Sequence, residues 1–187
     1  MQNPKIILLF SGKRKSGKDF ICEQIKNILK EECEIVRISG PLKKLYAKNH
    51  QLDFKELMGD GPYKEKYRID MINWSDEVRS EDPGYFCRAA CKDAKITPVW
   101  IVSDIRRKTD INWFKENFKN LCVLRIYAET DVRIARGYKY TEGIDNVVSE
   151  CDLDDFEHWD LQLSNNNSDE SKKAVEQIIA ITSERIK

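Results

Sequence analysis

Between Ser11 and Asp19 the chain reads Ser-Gly-Lys-Arg-Lys-Ser-Gly-Lys-Asp. Gly12, Gly17 and Lys18 stand at the spacing Gly-x-x-x-x-Gly-Lys, with Lys13, Arg14, Lys15 and Ser16 between the glycines. Glycines let a backbone curl until its N–H groups point inward at phosphate oxygens, and a helix that follows adds partial positive charge. Lys18 is then placed to reach the outer phosphates of a nucleotide. The residue after such a lysine is usually Ser or Thr, whose hydroxyl ligates magnesium. Here it is Asp19, a hard anionic oxygen donor that also suits the first turn of a helix.

Moving a phosphoryl group takes little covalent help from a protein. It takes two phosphorylated groups held in line and charge neutralised around the group in transit. A nucleotide site, a metal carboxylate and scattered arginines should therefore be legible. The apolar run Val99-Trp100-Ile101-Val102 ends in Ser103-Asp104, which suits a strand whose terminal Asp holds Mg²⁺. Arg106 and Arg107 follow at once, at the end of a strand where ligand crevices form. Arg133 and Arg136 are three residues apart on a helical pattern leading into Gly137, so they share a face. Lys43, Lys64, Arg68 and Arg79 crowd the segment between the second and third strands. Taken singly, each of these reads as plain surface charge, and the argument rests on their number. Arg14 can touch a transferring phosphoryl from inside the loop. Lys13 and Lys15 add a field stronger than one nucleotide requires, which points to a second substrate that also carries phosphate.

These residues need a frame. Apolar runs at Ile6–Phe10, Glu34–Ile38, Val99–Val102, Cys122–Tyr127 and, more weakly, Leu161–Leu163 alternate with helical patterns near 19–30, 41–49, 63–80, 84–92, 109–118, 130–137 and 168–185. Continuous apolar strands between helices imply a parallel sheet covered on both faces, a three-layer α/β arrangement of about five strands. Asn167 and Glu170 form a capping pair for the last helix. Ala174, Val175, Ile178, Ile179, Thr182 and Ile186 line its inner face. Trp74 and Trp113 fall at apolar helical positions and read as core. Two segments interrupt the alternation. Residues 41–96 are charged and helical, suited to docking an acceptor. Residues 137–160 carry Gly137, Gly143 and many acids, suited to a lid centred on about 133–150, whose closure keeps water from the phosphoryl group.

Bulk composition narrows the classes. With 187 residues the chain suits one domain with a full core. Basic and acidic residues balance at 32 each, against a general nucleic-acid or membrane binder. No apolar stretch approaches a membrane span. Met1-Gln2-Asn3-Pro4 leads straight into the first strand, leaving no room for a signal peptide. The six cysteines lack paired metal spacing and read as scattered reduced thiols. The ending Glu184-Arg185-Ile186-Lys187 lacks a Ser-Lys-Leu-type peroxisomal address. The cytosol is the expected compartment and a monomer the expected state.

Leu8 to Asp19 resembles the phosphate-binding loop of animal-type phosphomevalonate kinases. So do Ser39-Gly40-Pro41-Leu42-Lys43, the stretch from Tyr63-Lys64-Glu65 to Trp74, Asp82-Pro83-Gly84-Tyr85-Phe86-Cys87-Arg88, Val102-Ser103-Asp104 with Arg106-Arg107, and Arg136-Gly137-Tyr138. The order is the family's, the likeness weakens after about residue 165, and Asp19 is normal there. The resemblance implies a P-loop fold of the nucleoside-monophosphate-kinase kind. It implies transfer of the γ-phosphoryl of ATP, with Mg²⁺, to (R)-5-phosphomevalonate on the route to isoprenoids and sterols. It further implies Lys18 as the main catalytic residue, with Lys13, Arg14, Lys15 and Asp19 completing the loop. Lys43, Lys64, Arg68, Arg79, Arg106 and Arg107 fall on acceptor-side and phosphate positions, Arg136 on the nucleotide-side lid and Asn165 on a substrate position. Two alternatives stay open: a nucleoside-monophosphate or other small-molecule kinase on the same fold, and a nucleotide-binding regulatory protein.

Overall fold

A computed structural model describes residues 4–59 and 61–186. The readings made on Met1–Asn3 and Lys187 at the chain ends lie outside the described residues.

Five parallel strands form the sheet: β1 (Ile6–Ser11), β2 (Cys33–Val36), β3 (Val99–Val102), β4 (Leu121–Tyr127) and β5 (Leu161–Ser164), in the order β2-β3-β1-β4-β5. β1 lies at the centre, with Leu8 level with Ile101 on one side and Cys122 on the other. Ile6 through Phe10 are all buried, as a strand covered on both faces must be. Alternation splits them. Ile6, Leu8 and Phe10 pack with Ile21 and Ile25 of α1 (Lys18–Leu29) and with Ala174, Val175 and Ile178 of the C-terminal helix α9 (Ser168–Ile186). Ile7 and Leu9 face Phe86, Ile111 and Phe114, from α5 (Tyr85–Asp93) and α6 (Lys108–Asn117). Burying one such side chain is worth about 1.5–3 kcal/mol, so this strand anchors the loop that leaves it.

The segment between β2 and β3 holds α2 (Ser39–Asn49), α3 (Phe54–Met58), α4 (Pro62–Glu81) and α5, as the expected strandless, helical insertion. It has a small core of its own: Tyr46, Ala47, Leu57 and Met71. Trp74 is half-buried against both this core and the main one, and Trp113 is half-buried against the main one. α3 was not anticipated; it is one turn, started by Asp53, whose carboxylate accepts from the N–H groups of Lys55 and Glu56. α2 begins two residues earlier than its pattern, so β2 ends at Val36 instead of Ile38. Pro41 then falls in the first helical turn, where its missing N–H costs nothing.

After β4 come α7 (Thr130–Ala135) and a one-turn helix, α8 (Val148–Cys151). α7 stops at Gly137, which has φ +84°; Gly137 N–H donates to the Ile134 carbonyl and Tyr138 N–H to that of Arg133. These paired bonds and the left-handed residue form a Schellman C-cap, which fixes the last turn carrying Arg133 and Arg136. At the start of α9 the Asn167 side-chain oxygen accepts from Asp169 and Glu170 N–H groups, while Glu170 accepts from Asn166 N–H, so the expected cap is present in a shifted form.

Candidate active site

The loop after β1 lies at the carboxyl edge of the sheet, where strands β3 and β4 diverge on either side of β1. In open α/β sheets that is where ligands bind. Its two glycines are demanded by space. A Cβ on Gly12 would lie 2.5 Å from the Ile126 carbonyl oxygen, and one on Gly17, which has φ +84°, would lie 2.0 Å from the Asn165 amide nitrogen. Lys15 takes φ +63° without being glycine, a conformation that costs a β-carbon residue energy and that tends to persist at functional sites. Ser16 N–H closes the turn onto the Lys13 carbonyl at 3.1 Å.

Lys18 opens α1 and is buried. Its ammonium donates to Asp19 Oδ1 at 2.6 Å and to the Ser103 carbonyl oxygen. It is thereby strung between the loop and the end of β3, and a lysine ammonium has a further N–H to offer. Asp19 turns most of its side chain to solvent. Desolvation on its inner side raises its pKa, but the Lys18 ammonium, with Arg106 and Arg37 beyond, outweighs that and holds the carboxyl below its ordinary value. Asp19 is thus a standing anion at the mouth of the loop. Two hydroxyls, Ser16 Oγ in the loop and Ser103 Oγ after β3, are buried without a hydrogen-bond partner among the described residues, an arrangement that suits an oxygen-rich ligand. Ser103 was not singled out by sequence reasoning, because a serine at a strand end carries no signal of its own.

Asp104 departs from expectation. Its two oxygens accept the N–H groups of Ile38 at 2.8 Å and Ser39 at 2.9 Å, so it caps α2 from the end of the neighbouring strand β3. This is what ends β2 early. The candidate metal carboxylates are therefore Asp19 at the loop and Asp104 behind it, with Asp104 already held by backbone.

Arg133 and Arg136, which share a face of α7, both reach the loop. Arg133 Nε donates to the Arg14 carbonyl at 2.8 Å and its guanidinium lies 4.1 Å from the Tyr138 ring centre. Arg136 donates to the carbonyls of Ser16 at 3.2 Å and Asn165 at 2.7 Å. Asn165, buried after β5, donates its own amide to the Ser16 carbonyl at 2.8 Å. Asn165 is thus part of the wall that shapes the loop.

On the other side, Lys13 and Arg106 line one cleft with Arg125 and Glu150. Arg14 pairs with the buried carboxylate of Asp145 at 2.8 Å, Arg106 with Glu150 at 2.6 Å, and Lys13 with Asp154 at 2.5 Å. The acids at 145, 150 and 154 therefore lie directly on the cations of the loop and of the β3 end. On α4, Lys64 and Arg68 are one turn apart and half-buried, and Arg68 grips Glu65. That hydrogen bond is the main cause holding Glu65 below the ordinary carboxylate value, and the Arg14 charge adds to it, so α4 stands within the field of the loop. Lys43 is half-buried on α2. Arg107 pairs with Asp76. Arg79, expected to meet an acceptor, has its guanidinium on the fully buried Asp110 at 2.6 Å, with only a tenth of its side chain exposed.

The family model for phosphomevalonate kinase matches residues 10–120, more than half of the chain. A phosphomevalonate kinase of Drosophila melanogaster is 52% identical over 165 residues, covering 85% of this chain and 87% of that one. The chain belongs to the phosphomevalonate kinase family. It is accordingly a kinase, and the matched span carries the P-loop, the helical insertion between β2 and β3, and the β3 loop with Arg106 and Arg107. Among solved structures, TT1252 from Thermus thermophilus is similar with a TM-score of 0.56 at 15% identity, covering 95% of this chain and 97% of that one. APE1195 follows with a TM-score of 0.51 at 15% identity, covering 100% and 99%. At such identities the likeness is one of fold alone, and it extends the shared architecture over α7, α8 and β5, beyond the matched family span.

Proposed function

We propose that the protein, acting as one domain, transfers the γ-phosphoryl group of ATP to (R)-5-phosphomevalonate, giving (R)-5-diphosphomevalonate and ADP. An oxygen of the acceptor's phosphate attacks the γ-phosphorus, and the bond from that phosphorus to the β–γ bridging oxygen breaks. The attacking oxygen is already anionic near neutral pH, so no general base is needed. The obstacle is repulsion between two polyanions, and cations remove it.

The single observation that carries this reading is the meeting of Lys13 and Arg106 in one cleft beside the loop, on a chain of this family. The loop's own cations would suffice for a nucleotide; a further cation brought beside them from the β3 loop suits a second phosphorylated substrate. In this reading Gly12 to Asp19 cradle ATP, with Lys18 and Arg14 on the transferring group and Arg133 and Arg136 over the nucleotide phosphates. Lys13, Lys43, Lys64, Arg68, Arg106 and Arg107 receive the acceptor, and Asn165 keeps the loop in shape beside it. Mg²⁺, when bound, would supply positive charge that offsets the phosphate charge. Asp19 is the carboxylate that would hold it most directly, with Asp104 acting from behind; Mg²⁺ retains most of its waters and takes few protein oxygens, which fits this sparse donor set.

The same reading has the enzyme work as a monomer in the cytosol, on small substrates instead of nucleic acid. Six free cysteines support a reducing compartment. No helix among the described residues is long and apolar enough to cross a membrane.

The test is ADP release from Mg-ATP with (R)-5-phosphomevalonate, run beside AMP, UMP, dTMP and gluconate. Turnover confined to phosphomevalonate is expected. Turnover with a nucleotide acceptor instead would keep the fold and P-loop argument and overturn the acceptor.

A further inference from the structure

Asp110 is fully buried on the first turn of α6, and it is not adjacent in sequence to the phosphate loop. Buried carboxylates are rare and require complete satisfaction. This one has it. Oδ1 accepts from Arg79 at 2.6 Å and from the Cys87 thiol at 3.5 Å. Oδ2 accepts from two successive backbone N–H groups, those of Arg106 at 3.3 Å and Arg107 at 3.2 Å. One side chain therefore ties α4 to the backbone from which both acceptor-side arginines project.

A second bond completes the tie in the opposite sense. Arg107 reaches back to Asp76, three residues before Arg79 on the same helix. α4 thus gives a cation to α6 and takes one from the β3 loop. Arg79 packs over the Phe86 ring at 5.2 Å, which leaves its guanidinium little choice of direction.

We propose that Asp110 is the positioning residue for Arg106 and Arg107, and that Arg79 acts through it as a strut without touching substrate. Arg106 has a fixed backbone but a long side chain; to meet a phosphate it must leave that backbone at one angle. Asp110 sets the angle, and Arg79 keeps Asp110 in place. The proposal deepens the reading in which Arg106 meets the acceptor, and rests on it for the substrate named.

The test compares Asp110→Asn, Arg79→Met, Arg106→Ala and the double variant Asp110→Asn/Arg79→Met, each titrated separately with ATP and with (R)-5-phosphomevalonate. Asp110→Asn keeps the volume and one carbonyl oxygen but loses the charge that holds Arg79. A displaced binding group costs on the order of tenfold to a hundredfold. Asp110→Asn should therefore reproduce the kinetic signature of Arg106→Ala: the KM for phosphomevalonate up about tenfold or more, with kcat and the KM for ATP within about threefold. The double variant replaces a buried ion pair by neutral groups, which folds often tolerate, so it guards against a single variant that fails to fold. It should show the same KM rise as Asp110→Asn alone.

Unchanged KM values in a folded Asp110→Asn or double variant overturn the proposal. So does a loss of thermal stability with both substrates weakened equally, which is what a merely structural role predicts. A double variant with the effects of its parts multiplied would give Arg79 its own contact with substrate and overturn the strut. If instead Arg106→Ala weakens ATP, the acceptor-side reading falls, while an Asp110→Asn variant that weakens ATP in step still supports the positioning role.

Discussion

The arginines of α7 and those at the β3 loop and on α4 are held by different kinds of partner. Arg133 and Arg136 donate to main-chain carbonyls, those of Arg14, Ser16 and Asn165. Arg106, Arg107 and Arg79 donate to carboxylates, those of Glu150, Asp76 and Asp110. A carbonyl orients a guanidinium with a partial charge and leaves most of its unit charge for an anion. A carboxylate orients it more strongly and cancels the charge until something displaces the acid. Arg133 and Arg136 therefore keep more of their charge for an anion than Arg106 and Arg107 do, and in the proposed reading an acceptor phosphate would exchange with Glu150 at Arg106.

That difference can be broken or sharpened by substitution. The largest effect belongs to Lys18, which joins the two sides through Asp19 and the end of β3. Lys18→Met should lower kcat by about a thousandfold or more with circular dichroism unchanged, since it removes a fixed cation from the transferring group; a fall of less than about tenfold would remove Lys18 from the chemistry. Next come the paired deletions. Arg136→Ala should raise the KM for ATP, and Arg106→Ala that for phosphomevalonate, each by roughly ten- to a hundredfold, the scale of a charged hydrogen bond. Equal weakening of both substrates by either variant would erase the division of labour. Smaller still is Glu150→Gln, which leaves the side chain but not the competitor. A partly exposed pair of this kind is worth about 0.5–1 kcal/mol, so the KM for phosphomevalonate should fall two- to fivefold and its salt dependence should change, with ATP unaffected. A separate effect concerns stability away from the site. Burial pushes the thiols of Cys22, Cys33 and Cys122 up to about 12 from an ordinary value of about 9. The native state then keeps protons that the unfolded chain releases, so stability should fall as pH rises above about 9, by at most about 1.4 kcal/mol per pH unit for each thiol. A melting temperature flat from pH 9 to 11 would contradict that.

Periodicity and glycine chemistry carry most of the frame. β1, the phosphate loop and α1 are local in sequence, and so are the strand runs, the cap at Asn167 and the shared face of Arg133 and Arg136; each is set by neighbours a few residues away. What escaped was tertiary. Asp110 sits where any helix would accept an acid, and nothing nearby says that Arg79, far earlier in the chain, points at it. Asp104 ends an apolar strand as a metal carboxylate would, but its partners, Ile38 and Ser39, follow the neighbouring strand β2. The pairing of Asp145, Glu150 and Asp154 with Arg14, Arg106 and Lys13 joins segments more than forty residues apart or at opposite ends of the chain. Composition announces such acids and cannot match them to cations.

Asn165 gives the site a place in time as well as in space. Its amide holds Ser16, a residue made 149 positions earlier, and its carbonyl holds Arg136. Contacts of such separation form late, because the intervening chain must close first. While the chain is being synthesised from its N-terminus, the phosphate loop is among the first segments to emerge, yet its wall exists only after β5 has docked at the sheet's edge. A ribosome-bound fragment ending before β5 should therefore have the loop's sequence without its shape, and ATP binding by successively longer fragments would record the moment at which the fold is finished.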